Sequence, residues 1–118
     1  MNAQSERRGK VEVLSATGRI DFAGASAFRE ALLPHLESCV AGGTPLLLNL
    51  AGVDYISSAG LRELLIAAKQ VKAQGGRMMV CELQPMVAEV VRISRFDLVL
   101  SIADRAESAL RALQAEPA

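Results

Sequence analysis

PLLLNLAGVDYISSAGLR, residues 45–62, passes from a continuous apolar run to a helical pattern across two adjacent serines. The run 45–51, bounded by Pro and Gly, fits a strand buried on both faces, as a parallel sheet requires. Gly52-Val53 is expected to turn the chain. From 59 to 74, Leu61, Leu64, Leu65, Ala68 and Val71 fall on one face, while Arg62, Glu63, Lys69, Gln70 and Gln74 fall mainly elsewhere. That spacing predicts an amphipathic helix beginning near Ser58 and closed by Gly75-Gly76.

The flanks repeat the alternation. KVEVLSAT, 10–17, reads as a strand ended by Gly18. Residues 25–40 carry helical spacing, with a kink at Pro34 or a helix in two pieces expected, and a stop at Gly42-Gly43. Residues 77–82 form a further strand, and 85–94 a helix with Pro in its first turn. LVLSI, 98–102, reads as the last strand, and Asp104 as the cap of a final helix over 105–114. The order β-α-β-α-β-α-β-α predicts an α/β fold: a parallel sheet with right-handed crossovers. One domain spans 1–118, with its core at about 10–114 and residues 1–8 and 115–118 as frayed ends.

Composition narrows the function. Thirteen basic residues balance thirteen acidic ones, which disfavours nucleic acid and anionic membranes. No apolar run approaches the roughly 20 residues that span a bilayer, and the polar start MNAQSERRGK gives no signal peptide. These features point to a soluble, cytoplasmic protein. Only Phe22, Phe28, Phe96 and Tyr55 are aromatic, so the core must be aliphatic. Cys39 and Cys81 stand in no metal spacing and read as buried, reduced thiols, and His35 reads as a helix-surface residue. Met78, Met79 and Met86 read as core fillers. No metal or cofactor is implied.

In open α/β sheets, sites gather beyond the carboxyl ends of the strands. Residues 54–60 are expected there, with Ile20-Asp21 and Glu82-Leu83-Gln84. The simplest role for a serine at a strand-to-helix junction is an N-cap, which contributes about 1 kcal/mol. Gly60 lets the helix approach its strand. Catalysis has little behind it: a nucleophilic serine needs a base, and His35 belongs to an earlier helix. The G-x-S-x-G elbow and the glycine-rich nucleotide loops are absent.

GRID at 18–21, LLLNLAGVDYISSAGLREL at 46–64 and GGRMMVCE at 75–82 resemble the STAS domain of bacterial anti-sigma-factor antagonists and sulfate-transporter tails. The resemblance covers about residues 10–114. It implies a βα superhelix, a mostly parallel sheet of four to five strands with four helices, with residues 2–8 as an extra edge strand. It also implies a binding module rather than an enzyme. Such a module sequesters an anti-sigma factor that is also a GHKL-type serine kinase, and so releases a sigma factor. Aligning Gly60-Leu61 with the family's Gly-Leu makes Ser58 the phosphate acceptor, with a PPM-type phosphatase to reverse it. Ser57 then stands where the best-known members carry Asp, Ala59 where they carry a second hydroxyl, and Asn49 where Asp is usual. Asp21 matches an acidic residue bordering the kinase surface. The docking patch is expected around Tyr55, Ile56, Ser58 and Leu61, with Asp54, Ser57 and Arg62 beside it. Unmodified, that patch is small and nearly neutral. Phosphate adds about −1.5 to −2 charges next to Asp21 and Asp54. Other readings are an accessory subunit of an ABC-type transporter or a scaffold in a stress-signalling complex.

Overall fold

The computed structural model describes residues 1–115. Five strands form one sheet in the order β1-β2-β3-β4-β5: Asn2–Arg8, Val11–Ile20, Leu46–Ile56, Met78–Cys81 and Ile102–Ala103. β1 runs antiparallel to β2, and every other pairing is parallel. Four helices intervene: α1 Gly24–Leu36, α2 Ser58–Ala73, α3 Pro85–Ile93 and α4 Ala106–Gln114. The α/β class, the mostly parallel sheet and the four helices are as expected.

The frayed amino end is corrected, and the extra edge strand that the resemblance implied is present. Residues 2–8 pair with β2 from Asn2↔Thr17 to Arg8↔Val11. An edge strand makes its ladder with backbone groups and need bury little, so its polar composition hid it. A two-residue turn closes the hairpin, with Gly9 at φ +61°, a conformation glycine adopts without a Cβ clash. At the other end, residues 116–118 of the expected frayed segment lie outside the described residues.

β2 and β3 both overrun their expected ends. Gly18 does not stop β2, and Gly52-Val53 is not a turn. β3 continues to Ile56, paired only with β2 over this stretch, because β4 reaches no further than Cys81, opposite Asn49. The result is a two-stranded ribbon protruding from the sheet. Strand side chains alternate with period two, yet Leu50, Val53 and Ile56, three apart, all enter the same core. Register irregularities between Ser15/Thr17 and Gly18/Arg19 reconcile the two: each bulge shifts the parity and returns the next apolar residue inward.

The larger core lies between the sheet and helices α1, α2 and α3, and is filled by Phe28, Leu32, Leu48, Leu64, Val87 and their neighbours. A smaller one, with Val11, Val13, Leu47, Cys81, Ala109 and Leu113, lies beneath α4. α1 is one continuous helix with Pro34 inside, and it ends at Leu36, short of Gly42-Gly43. Gln74, at the C-cap of α2, donates from Nε2 to the carbonyls of Leu36 (2.9 Å) and Cys39 (3.0 Å), adding donors where the carbonyl end of α1 lacks helical ones. Both cysteines are buried and free. Burial pushes the Cys81 thiol up to about 12, reinforced by the nearby Glu82 carboxylate.

The carboxyl-terminal reading needs two corrections. LVLSI is not a strand. Phe96–Leu98 is a 3₁₀ turn entered through Arg95 at φ +62°, and β5 is only Ile102–Ala103. Asp104 does not cap α4: the Glu82 carboxylate does, its Oε2 accepting from the Ala106 N–H at 2.8 Å. Glu82 reaches this position with φ +58°. Met78 and Met79 are partly buried against the core as expected, but Met86 is 64% exposed. His35 is half-buried on α1.

Candidate functional site

The ribbon end, the start of α1 and the start of α2 meet at the carboxyl edge of the sheet. Ser57 joins them. Its φ of −80° and ψ of 168° are extended, which is the N-cap conformation. Its N–H donates to the Ile20 carbonyl (2.7 Å), its carbonyl accepts from Leu61 N–H (2.9 Å), and its Oγ accepts from Gly60 N–H (3.1 Å). Ser57 is therefore the cap, engaged through backbone and side chain alike.

Ser58 differs in every respect. It is the first helical residue, its side chain is exposed, and its hydroxyl makes no hydrogen bond among the described residues. α2 carries no acidic residue in its first turn. The N–H groups of Ser58 and Ala59 precede the first intrahelical bond, so they remain available to an anion. Gly60 is required by packing. A Cβ there would lie 2.7 Å from Cγ2 of Ile20 and 2.9 Å from Cγ1 of Ile56.

Two members of the expected docking patch are not at the surface. Ile56 and Leu61 are each only 3% exposed. The bulge at Asp54 turns Ile56 inward, and Leu61 begins the buried face of α2. They hold the site in place and offer no side chain to a partner. Asp54, Tyr55 and Arg62 are exposed. Asp21 is exposed and fixed, with Oδ1 accepting from Gly24 N–H at 2.7 Å, where α1 begins.

Two further residues belong to this surface. Arg19 lies in register with Tyr55, its guanidinium carbon 4.3 Å from the ring centroid, a cation–π pair on the outside of the ribbon. Phe22, beside Asp21, is 83% exposed. Aromatic side chains, Phe among them, are enriched at protein–protein interfaces. A lone aromatic next to GRID gives no such signal in sequence, because only the fold decides that Phe22 points outward. Among the described residues no group of three or more His, Cys, Asp or Glu side chains is arranged to hold a metal.

Comparison with known proteins bears on the fold and the family. The family model for the STAS domain matches residues 2–109. BtrV of Bordetella bronchiseptica, which carries the name anti-sigma factor antagonist, is 42% identical over 73 residues. The aligned stretch takes up 62% of this chain and 63% of BtrV, so the match spans less than two thirds of that relative. The crystal structure of an anti-sigma factor antagonist from Mycobacterium paratuberculosis superposes with a TM-score of 0.85 at 21% identity, covering 97% of this chain and 94% of that one. The phosphorylated form of the Bacillus cell fate determinant SpoIIAA gives a TM-score of 0.67 at 18% identity, covering 94% and 99%. The two structural likenesses concern the fold.

Proposed function

The chain belongs to the STAS domain family, and from that premise we propose that it is an anti-sigma-factor antagonist switched by phosphorylation of Ser58. The observation that carries the reading is the division between two neighbouring hydroxyls: Ser57 is committed to the cap, and Ser58 is unengaged and exposed. A kinase acting here meets one available acceptor. Transfer of the γ-phosphoryl group from ATP to Ser58 Oγ releases ADP, and the hydroxyl proton passes to a base of the kinase.

The unmodified protein docks through the exposed rim of Asp21, Phe22, Asp54, Tyr55, Ser58 and Arg62. Its partner is an anti-sigma factor of the GHKL serine-kinase type, whose sequestration frees a sigma factor. Phosphorylation places about −1.5 to −2 charges on that rim. The fold tolerates the phosphate, because the start of α2 offers unpaired N–H groups and the positive end of the helix dipole. The partner does not, since a surface fitted to a hydroxyl must now desolvate a dianion. A PPM-type phosphatase restores docking by hydrolysing the phosphoserine.

Two measurements test this. Peptide mapping of the protein recovered from its own cells is expected to find phosphate on Ser58. Phosphate on Ser57, or on neither serine under any growth condition, ends the proposal. Ser58→Asp is expected to bind the captured partner ~100-fold more weakly, about 2.7 kcal/mol, with an unchanged circular dichroism spectrum. Wild-type affinity in that variant removes the electrostatic switch.

A further inference from the structure

The outer edge of the sheet, remote from Ser58, leaves part of β4 without a neighbouring strand. β5 covers only part of β4, with Val80 paired to Ile102 and Cys81 to Ala103. The Val80 N–H donates outward to Ser101 O (2.9 Å), while the Arg77 carbonyl accepts inward from Leu46 N–H (3.0 Å). Backbone groups along a strand in a sheet face its two neighbours alternately. Met78 therefore directs its N–H and C=O to the same outer side as Val80. No strand lies there, because the chain preceding Ile102 has turned away through the 3₁₀ segment. Among the described residues these two groups have no partner.

The gap opens into a cavity of about 470 Å³. It is lined by Ala68, Lys69 and Lys72 of α2, by Met78 of β4, and by Val99 and Leu100. Lys69 and Lys72 are exposed and form no ion pair among the described residues. Arg77, also at the cavity, is committed elsewhere: it donates to the carbonyls of Leu113 (3.2 Å) and Ala115 (2.9 Å) at the end of α4.

We propose that this slot takes up a short, extended, acidic peptide segment of another protein, which adds beside Met78 as a strand and pairs its carboxylates with Lys69 and Lys72. Three features select that occupant. An unpaired N–H and C=O on one residue call for a backbone, which a purely apolar ligand does not provide. The apolar walls accept side chains that alternate with the charged ones. The two lysines favour carboxylates and disfavour a second copy of this chain, whose own free edge strand, NAQSERR, carries two arginines and one glutamate. Along α2 at 1.5 Å per residue, Lys69 and Lys72 lie roughly 17–21 Å from Ser58. The slot is therefore expected to work independently of the serine.

Titration of the ¹⁵N-labelled full chain with the peptide acetyl-Glu-Val-Asp-Val-Glu-amide tests the proposal. Saturable shifts are expected at the amides of Met78, Met79 and Ser101 below ~1 mM, with none from acetyl-Lys-Val-Lys-Val-Lys-amide. The double variant Lys69→Glu, Lys72→Glu changes only exposed side chains and is expected to keep its native spectrum while weakening the acidic peptide at least tenfold. Ser58→Asp is expected to leave that affinity unchanged, which separates this proposal from the switch. It is overturned by the absence of saturable shifts, by shifts confined to the Ser58 end, or by equal affinity in the lysine variant.

Discussion

The two ends of α2 face opposite kinds of surface. At its start the backbone is largely provided for: Ser57 caps Gly60 and the Ser57 amide is tied to Ile20, which leaves only the N–H groups of Ser58 and Ala59 open to an anion. What a protein partner meets there is chiefly side chain, namely the Ser58 hydroxyl, Phe22 and the Arg19–Tyr55 pair. Near its other end the helix overlooks a strand whose outward backbone groups at Met78 are unpaired, between apolar walls and two lysines. A surface that presents side chains can be rewritten by one modification. A surface that presents backbone recognises an extended chain with less regard to its side chains. The difference follows from strand length: β3 overruns its neighbour β4 at one end, and β5 falls short of β4 at the other.

The comparison breaks first if the start of α2 is not rigid. Leu61→Ala is expected to destabilise the protein by about 2–5 kcal/mol in urea denaturation, since Leu61 is core, while the protein still folded keeps its partner affinity. A stable variant that fails to dock returns Leu61 to the interface. The serine pair comes next. Ser57→Ala is expected to cost about 1 kcal/mol of stability, and Ser58→Ala to stay within about 0.5 kcal/mol while abolishing phosphorylation. Reversed effects would exchange the roles of cap and acceptor. The smallest effect at neutral pH concerns β4 itself. An unfolded thiol titrates near 9.0, and Cys81 in the fold at about 12. Its contribution to stability is therefore complete below pH 9 and is lost as pH rises from 9 toward 12. The native protein is expected to resist iodoacetamide at pH 8 and to label fully in urea. Rapid native labelling would mean that the open edge admits solvent to β4 and its thiol.

Much of the architecture was legible. A continuous apolar strand followed by a helical stripe, repeated along the chain, leaves few packings besides a parallel sheet covered by helices. What escaped the reading was set by neighbours. β1 is polar because an edge strand buries almost nothing. The ribbon was hidden because its bulges turn the strand period of two into a spacing of three, so 52–56 looked like a turn and loop. LVLSI has strand composition, yet its first two residues, Leu98 and Val99, are exposed, and a left-handed Arg95 sets the path. Asp104 is a good capping residue, but Glu82 reaches the helix from just beyond the end of β4.

By itself the sequence determined the class of fold, the aliphatic core and the serine pair at a strand-to-helix junction, because each is written in local periodicity and residue type. Only the tertiary structure decided which serine is bound and which is free, that Ile56 and Leu61 turn inward while Phe22 turns outward, and that β4 keeps an open edge. Those outcomes depend on which backbone groups find partners across the sheet, and such partners lie dozens of residues away along the chain.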